Sequence, residues 1–153
     1  MSNRACLEDI NTSFKRVEAM LYNYKNTKAE IKILKRDLEI LENDYRGTGS
    51  ISYDEKTSPT NAFSSSVESE VLKRAEAIQK LKNKIRLKEI EIENIDDAIK
   101  ILNEDELTLV NERYFNKKTN KYVASILNVT EDTSSRYKNS AISKLCTLLR
   151  QKV

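Results

Sequence analysis

Val67, Val71, Arg74, Ile78, Leu81, Ile85, Lys88, Ile92, Ile95, Ile99 and Leu102 follow one another at steps of four and three without a fault. No other feature limits the fold so strongly. A repeat of this kind keeps one stripe of a helix facing one way, so the segment predicts a coiled-coil helix over about 66–102. Only Arg74 and Lys88 interrupt the apolar seam. At 1.5 Å rise per residue the helix is roughly 55 Å long, and it cannot bury such a seam alone. The acidic residues beside the seam alternate with Lys, which is the pattern of a solvated helix face.

A partner lies upstream. Ile10, Phe14, Val17, Leu21, Tyr24, Ile31, Leu34, Leu38, Leu41 and Tyr45 predict a second long helix over about 10–45, with a register slip around Lys28 and Ile31 to Leu34. Between the two, "RGTGSISYDEKTSPTNAFSSS" holds both glycines and the only proline, so 46–65 reads as a flexible Ser/Gly-containing loop. Ser65 followed by Glu68 fits a capping box that restarts the helix. Two long helices and a loop allow an antiparallel hairpin, a parallel dimer, or both within a homo-oligomer.

Composition agrees with this reading and removes others. A third of the residues are charged, with Gly 2 and Pro 1, which suits long solvated helices rather than a turn-rich sheet protein. Histidine is absent, which takes away the commonest general base and metal ligand. No Gly-rich phosphate loop or nucleophile elbow replaces it, so no catalytic site, metal site or cofactor is expected and the chain does not read as an enzyme. Cys6 and Cys146 lack metal-ligand spacing and read as thiols of a reducing compartment. With no run of ~18 apolar residues and no apolar leader, a soluble cytoplasmic protein is expected, without a membrane partner.

Charge divides the chain. Residues 1–45 and 64–103 each hold eight basic and eight acidic side chains, whereas residues from Asn116 onward hold eight basic and two acidic. The first 103 residues are therefore neutral helices, and 104–153 forms a second, basic domain. There, Asn103 with Glu106 makes a capping box for "EDELTLVNERYF", where Leu107, Val110 and Tyr114 share a face. Thr119 caps "NKYVASIL", Asn128 suits a turn that needs a positive φ, and Thr130 caps a last helix opening on Glu131 and Asp132. Helix, three-residue turn and helix make a helix-turn-helix.

The packing positions of that motif are filled suitably. Ala124 is small where the helices cross, and Val123, Leu127 and Val129 surround the turn. Tyr137, Ala141, Leu145 and Leu148 continue the inner face of the last helix. Asp132, Thr133, Ser135, Arg136 and Asn139 face outward, with side chains able to read base edges. Lys117, Lys118, Thr119, Lys121, Lys138 and Lys144 are the candidate phosphate contacts. Ser134 stands where such a helix usually buries a branched aliphatic side chain, which puts the angle of the last helix in question. The fold expected is all-α: a long helical hairpin or coiled coil followed by a small helix-turn-helix domain, with double-stranded DNA as the partner.

"LTLVNERYFNKKTNKYVASILNVTEDTSSRYKNSAISKL" resembles the fourth region of bacterial sigma factors, in the pattern "ERYF", then "T…VA..L.V", then "T..RY...A..KL". "ILENDYRGTGSISYD" and "SVESEVLKRAEAIQKLKNKI" make nearly the whole chain similar to the RinA/ArpU-like phage transcriptional regulators of Firmicutes. Ser134 is the clearest departure. The resemblance implies a phage or prophage activator of late genes, with Asn120–Leu127 as the first motif helix and the recognition helix starting at Glu131. It also makes RNA polymerase a second candidate partner. Two other functions compete: the small subunit of a phage packaging terminase, and a coiled-coil adaptor that binds no DNA. The first predicts a ring-sized assembly and the second predicts no salt-dependent DNA affinity.

Overall fold

The computed structural model describes residues 2–43 and 62–149, with side chains over 12–43 and 69–149. The protein is all-α. Helix α1 spans Ser2–Asn43 and α2 spans Ala62–Ala98, followed by a 3₁₀ turn, Ile99–Ile101. Helix α3 spans Glu104–Val110 and runs into a π turn, Asn111–Phe115; α4 spans Asn120–Ile126 and α5 spans Glu131–Leu149. None of the described helices is long and apolar enough to cross a membrane. The chain forms two compact units, one of residues 30–88 and one joining residues 1–29 to 89–153.

In the unit of residues 30–88, α1 and α2 are antiparallel. Ile31, Leu34 and Ile85 are buried, with Leu38, Leu41, Ile78 and Leu81 half-buried. The seam's two charged interruptions find partners across the pair. Arg74 Nη2 donates to the Leu41 carbonyl at 2.5 Å, and Lys88 Nζ lies 2.7 Å from Glu30 Oε2. Lys82 meets Glu42 at 2.7 Å. Rising positions on α1 thus meet falling positions on α2, and the predicted seam is closed within this unit from Arg74 to Lys88, whereas Val71, expected in it, is 61 % exposed.

In the other unit, Val17, Leu21 and Tyr24 of α1 are buried, as are Ile92, Ile95 and Ala98 of α2. The C-terminal helices add Leu109, Val110, Tyr114, Val123, Ala124, Ala141, Ile142, Leu145 and Leu149. Aromatic rings join them to α1: Tyr24 stacks on Phe115 at 4.2 Å, and Tyr22 meets Tyr114 edge-on at 4.8 Å. Tyr114 donates its hydroxyl proton to Glu18 at 2.7 Å, and Lys25 donates to Asn116 Oδ1 at 2.7 Å. Burial and the neighbouring Glu18 carboxylate both raise the pKa of the Tyr114 phenol, so it stays a donor. The unit that carries the C-terminal helices is therefore wider than 104–153.

Several sequence expectations need correction. Helix α2 begins at Ala62, so Ser65 lies inside it and is no cap; the rest of the expected loop falls outside the described residues. The register slip in α1 sits a turn earlier than Ile31, because Thr27, 7 % exposed, occupies the seam. The expected single helix over "EDELTLVNERYF" changes winding after Val110. Asn116 N–H donates to the Asn111 carbonyl at 2.8 Å, a π-type bond, and Lys118 N–H to the Glu112 carbonyl at 2.9 Å. Leu109 is buried beside Val110 and Tyr114, while Leu107 is only half-buried. Leu148 is 54 % exposed, and Leu149 takes the inner position instead.

Candidate nucleic-acid interface

The site is built from three helix starts. Asn103 caps α3: its side chain accepts from Glu106 N–H at 2.8 Å, and Glu106 Oε2 accepts from Asn103 N–H at 3.2 Å. The Glu106 carboxylate, on a residue 2 % exposed, also reaches α5. It accepts from Ser140 Oγ at 2.7 Å and from Lys144 Nζ at 2.8 Å. Burial pushes its pKa up, but the Lys144, Ser140 and Asn103 bonds outweigh this and hold it below the ordinary carboxylate value. One acid thus closes the first turn of α3 and ties α5 to it. The capping role was readable from the sequence; the tie to α5 was not.

Thr119 caps α4 by accepting from Tyr122 N–H at 3.3 Å. At the other end of α4, Asn128 has φ 53°, in the left-handed region that Asn tolerates. Val129 N–H donates to the Ala124 carbonyl at 3.0 Å and Asn128 N–H to the Ser125 carbonyl at 3.3 Å. This pair of bonds is the Schellman arrangement, with Asn in the place glycine usually takes. Thr130 then caps α5, accepting from Thr133 N–H at 3.2 Å. The short turn leaves the chain just enough room to stop one helix and begin the next.

The crossing of α4 and α5 explains Ser134. This residue is fully buried, and its hydroxyl donates to Asn120 Oδ1 at 2.9 Å. The Asn120 amide nitrogen donates to the Glu131 carbonyl at 3.1 Å and lies 3.4 Å from Ser135 Oγ. A polar clamp replaces the aliphatic contact, and small Ala124 and Ala141, both buried, sit in the same core. Asn120 was missed as a structural partner, although its place one residue after the Thr119 cap is legible.

The buried face of α5 comprises Ser134, Ala141, Ile142, Leu145 and Leu149. Asp132, Arg136 and Asn139 are exposed and, at steps of four and three, share the opposite stripe. Ser143, exposed at the next step of four, extends it; the same spacing would have found it. Thr133 and Ser135 are half-buried at the edges, the Thr133 hydroxyl 2.9 Å from that of Thr130. Among the described residues Arg136 forms no ion pair.

The lysines separate into two groups. Lys117, Lys118 and Lys121 are exposed around the start of α4, with Lys118 Nζ 5.2 Å from the Tyr122 ring centroid. Lys117 has φ 56°, which turns the chain sharply from the π turn toward α4. Because Asn120 is bonded to the first turn of α5, this basic approach adjoins the start of the outward stripe. Lys138 and Lys144 are turned the other way. Lys138 Nζ lies 3.6 Å from Glu18 and 5.8 Å from the Phe14 ring centroid, and Lys144 is held by Glu106. The first three can meet a polyanion; the last two are occupied in packing. No protein-family model, no curated protein and no solved structure matches the chain.

Proposed function

We propose that the protein is a sequence-specific, double-stranded-DNA-binding transcriptional regulator of phage or prophage origin, acting in the cytoplasm as an activator of late genes. The observation that carries the DNA reading is the stripe of Asp132, Arg136 and Asn139 on α5, exposed directly after a tightly capped turn and bordered by Lys117, Lys118 and Lys121. Such a helix offers donors and acceptors that match base edges in the major groove, while nearby ammonium groups meet phosphates without reading sequence. The phage context and the role in activation rest on the resemblance to RinA/ArpU-like regulators, as does RNA polymerase as a second partner.

Selection of genomic fragments on the purified chain tests this reading. Enrichment of a short motif is the expected result; recovery of random DNA only, or of none, would reject sequence-specific binding. Within an enriched site, Arg136→Ala is expected to weaken binding about tenfold, some 1.4 kcal/mol, and to relax preference at one base pair. Equal losses on specific and random DNA would remove Arg136 from base reading. Lys121→Ala is expected to weaken binding to all sequences alike and to flatten the slope of log affinity against log salt by about one unit. An unchanged slope would remove that phosphate contact.

A further inference from the structure

The seam between α1 and α2 is closed from Arg74 to Lys88 within one chain, yet α1 carries a second stripe that the described residues leave open. In the unit of residues 30–88, Ile33 and Ile40 are 54 % and 66 % exposed. They lie seven residues apart, on the side of α1 opposite Ile31, Leu34 and Leu38. Within this unit the register places Ile33 and Ile40 at one heptad position and Arg36 at the other. All three are exposed. We infer that α1 pairs through this stripe with α1 of a second copy of the chain, in a parallel, in-register coiled coil.

Residue chemistry selects both occupant and direction. In parallel pairs, β-branched residues at the first core position suit two strands, and Ile33 and Ile40 supply them. Charge complementarity is the second argument. In a parallel pair the residue before one core position faces the partner's residue five places later. Lys32 and Asp37 stand at those places with opposite charges, so twofold symmetry gives two matched ion pairs. Both are exposed, and among the described residues neither has an ion-pair partner. Arg36 is the one charged core position; its aliphatic stem lies along the stripe while the guanidinium reaches water at the edge. That misfit makes the association reversible.

Sedimentation equilibrium of the full chain without DNA tests the pairing, independently of the DNA reading. A monomer–dimer equilibrium is expected, weakened more than about tenfold by Ile33→Glu with Ile40→Glu while far-ultraviolet circular dichroism keeps its helical signal. Lys32→Glu is expected to weaken the dimer, and adding Asp37→Lys to restore it. In a Cys6→Ser, Cys146→Ser background, Ile33→Cys and Ile40→Cys, made separately, are each expected to cross-link to their own counterpart on oxidation, as only a parallel in-register pair allows for both positions. A monomer at every concentration, a dimer indifferent to the stripe, a ring-sized assembly, or a dimer without both cross-links would overturn the inference.

Discussion

Glu106→Ala is expected to lower the stability of the protein by about 3 kcal/mol, measured by chemical denaturation at neutral pH. The substitution removes a carboxylate that accepts from Asn103 N–H, Ser140 Oγ and Lys144 Nζ. Hydrogen bonds to a charged acceptor contribute about 1.5–3 kcal/mol each, and deleting one partner leaves the others unsatisfied. The figure stays at the low end of the range for broken buried pairs, about 3–5 kcal/mol, because the Lys144 side chain is 43 % exposed and regains water. The pH dependence has a definite sign. The folded-state pKa of Glu106 lies below its ordinary value, so its contribution is fully present above the unfolded carboxylate pKa of about 4.3. It is lost as pH falls through the folded value. Glu106→Gln keeps the shape without the charge and should flatten this acid limb. An unaltered acid limb in Glu106→Gln would show that the carboxylate's charge contributes nothing to the tie between α3 and α5.

Ser134→Val should cost about 2 kcal/mol, although it installs the kind of side chain the position usually holds. The new methyl groups enter a fully buried site and deprive Asn120 Oδ1 of its donor, so overpacking and an unsatisfied acceptor act together. Pairing it with Asn120→Leu removes the orphaned amide. The double variant should then be more stable than the sum of the two single losses predicts, by about 1 kcal/mol. Strict additivity in denaturation midpoints would mean that the Ser134–Asn120 bond has no energetic weight, and that the helix crossing is set by Ala124 and Ala141 alone.

Helices were legible wherever a single face decides. The 4–3 repeat located both long helices; the caps at Asn103, Thr119 and Thr130 were readable because each rests on one side chain bonding its own backbone, and the turn at Asn128 because Asn tolerates a positive φ. What escaped depends on contacts far apart in sequence. Thr27 is polar, so an apolar count could not place it in the α1 seam, and the slip was put too late. Leu148 and Leu149 are chemically alike, and the choice between them turns on about 100° of helix rotation. Lys138 and Lys144 resemble the other lysines of the basic segment. Only their neighbours, Glu18 and Glu106, distinguish them from Lys117, Lys118 and Lys121, and those acids are remote in the chain. The outward stripe of α5 was partly legible: Asp132, Arg136 and Asn139 share it, whereas Thr133 and Ser135 lie at its edges.

The π turn over Asn111–Phe115 bears on where this chain can change length. Loops usually absorb insertions and deletions because little depends on their phase. Here the wide turn already holds a residue more than an α-helical turn would, and both neighbouring aromatics depend on it: Tyr114 reaches Glu18, and Phe115 stacks on Tyr24. Removing one residue from 111–115 would regularise the helix locally but swing every later position by roughly 100°. The Tyr114 and Phe115 docking points would then no longer meet α1. The stretch that departs most from regular winding is thus the one whose length is least free to drift, and the neighbouring "NKKT" segment inherits that constraint through its bond from Lys118 N–H to the Glu112 carbonyl.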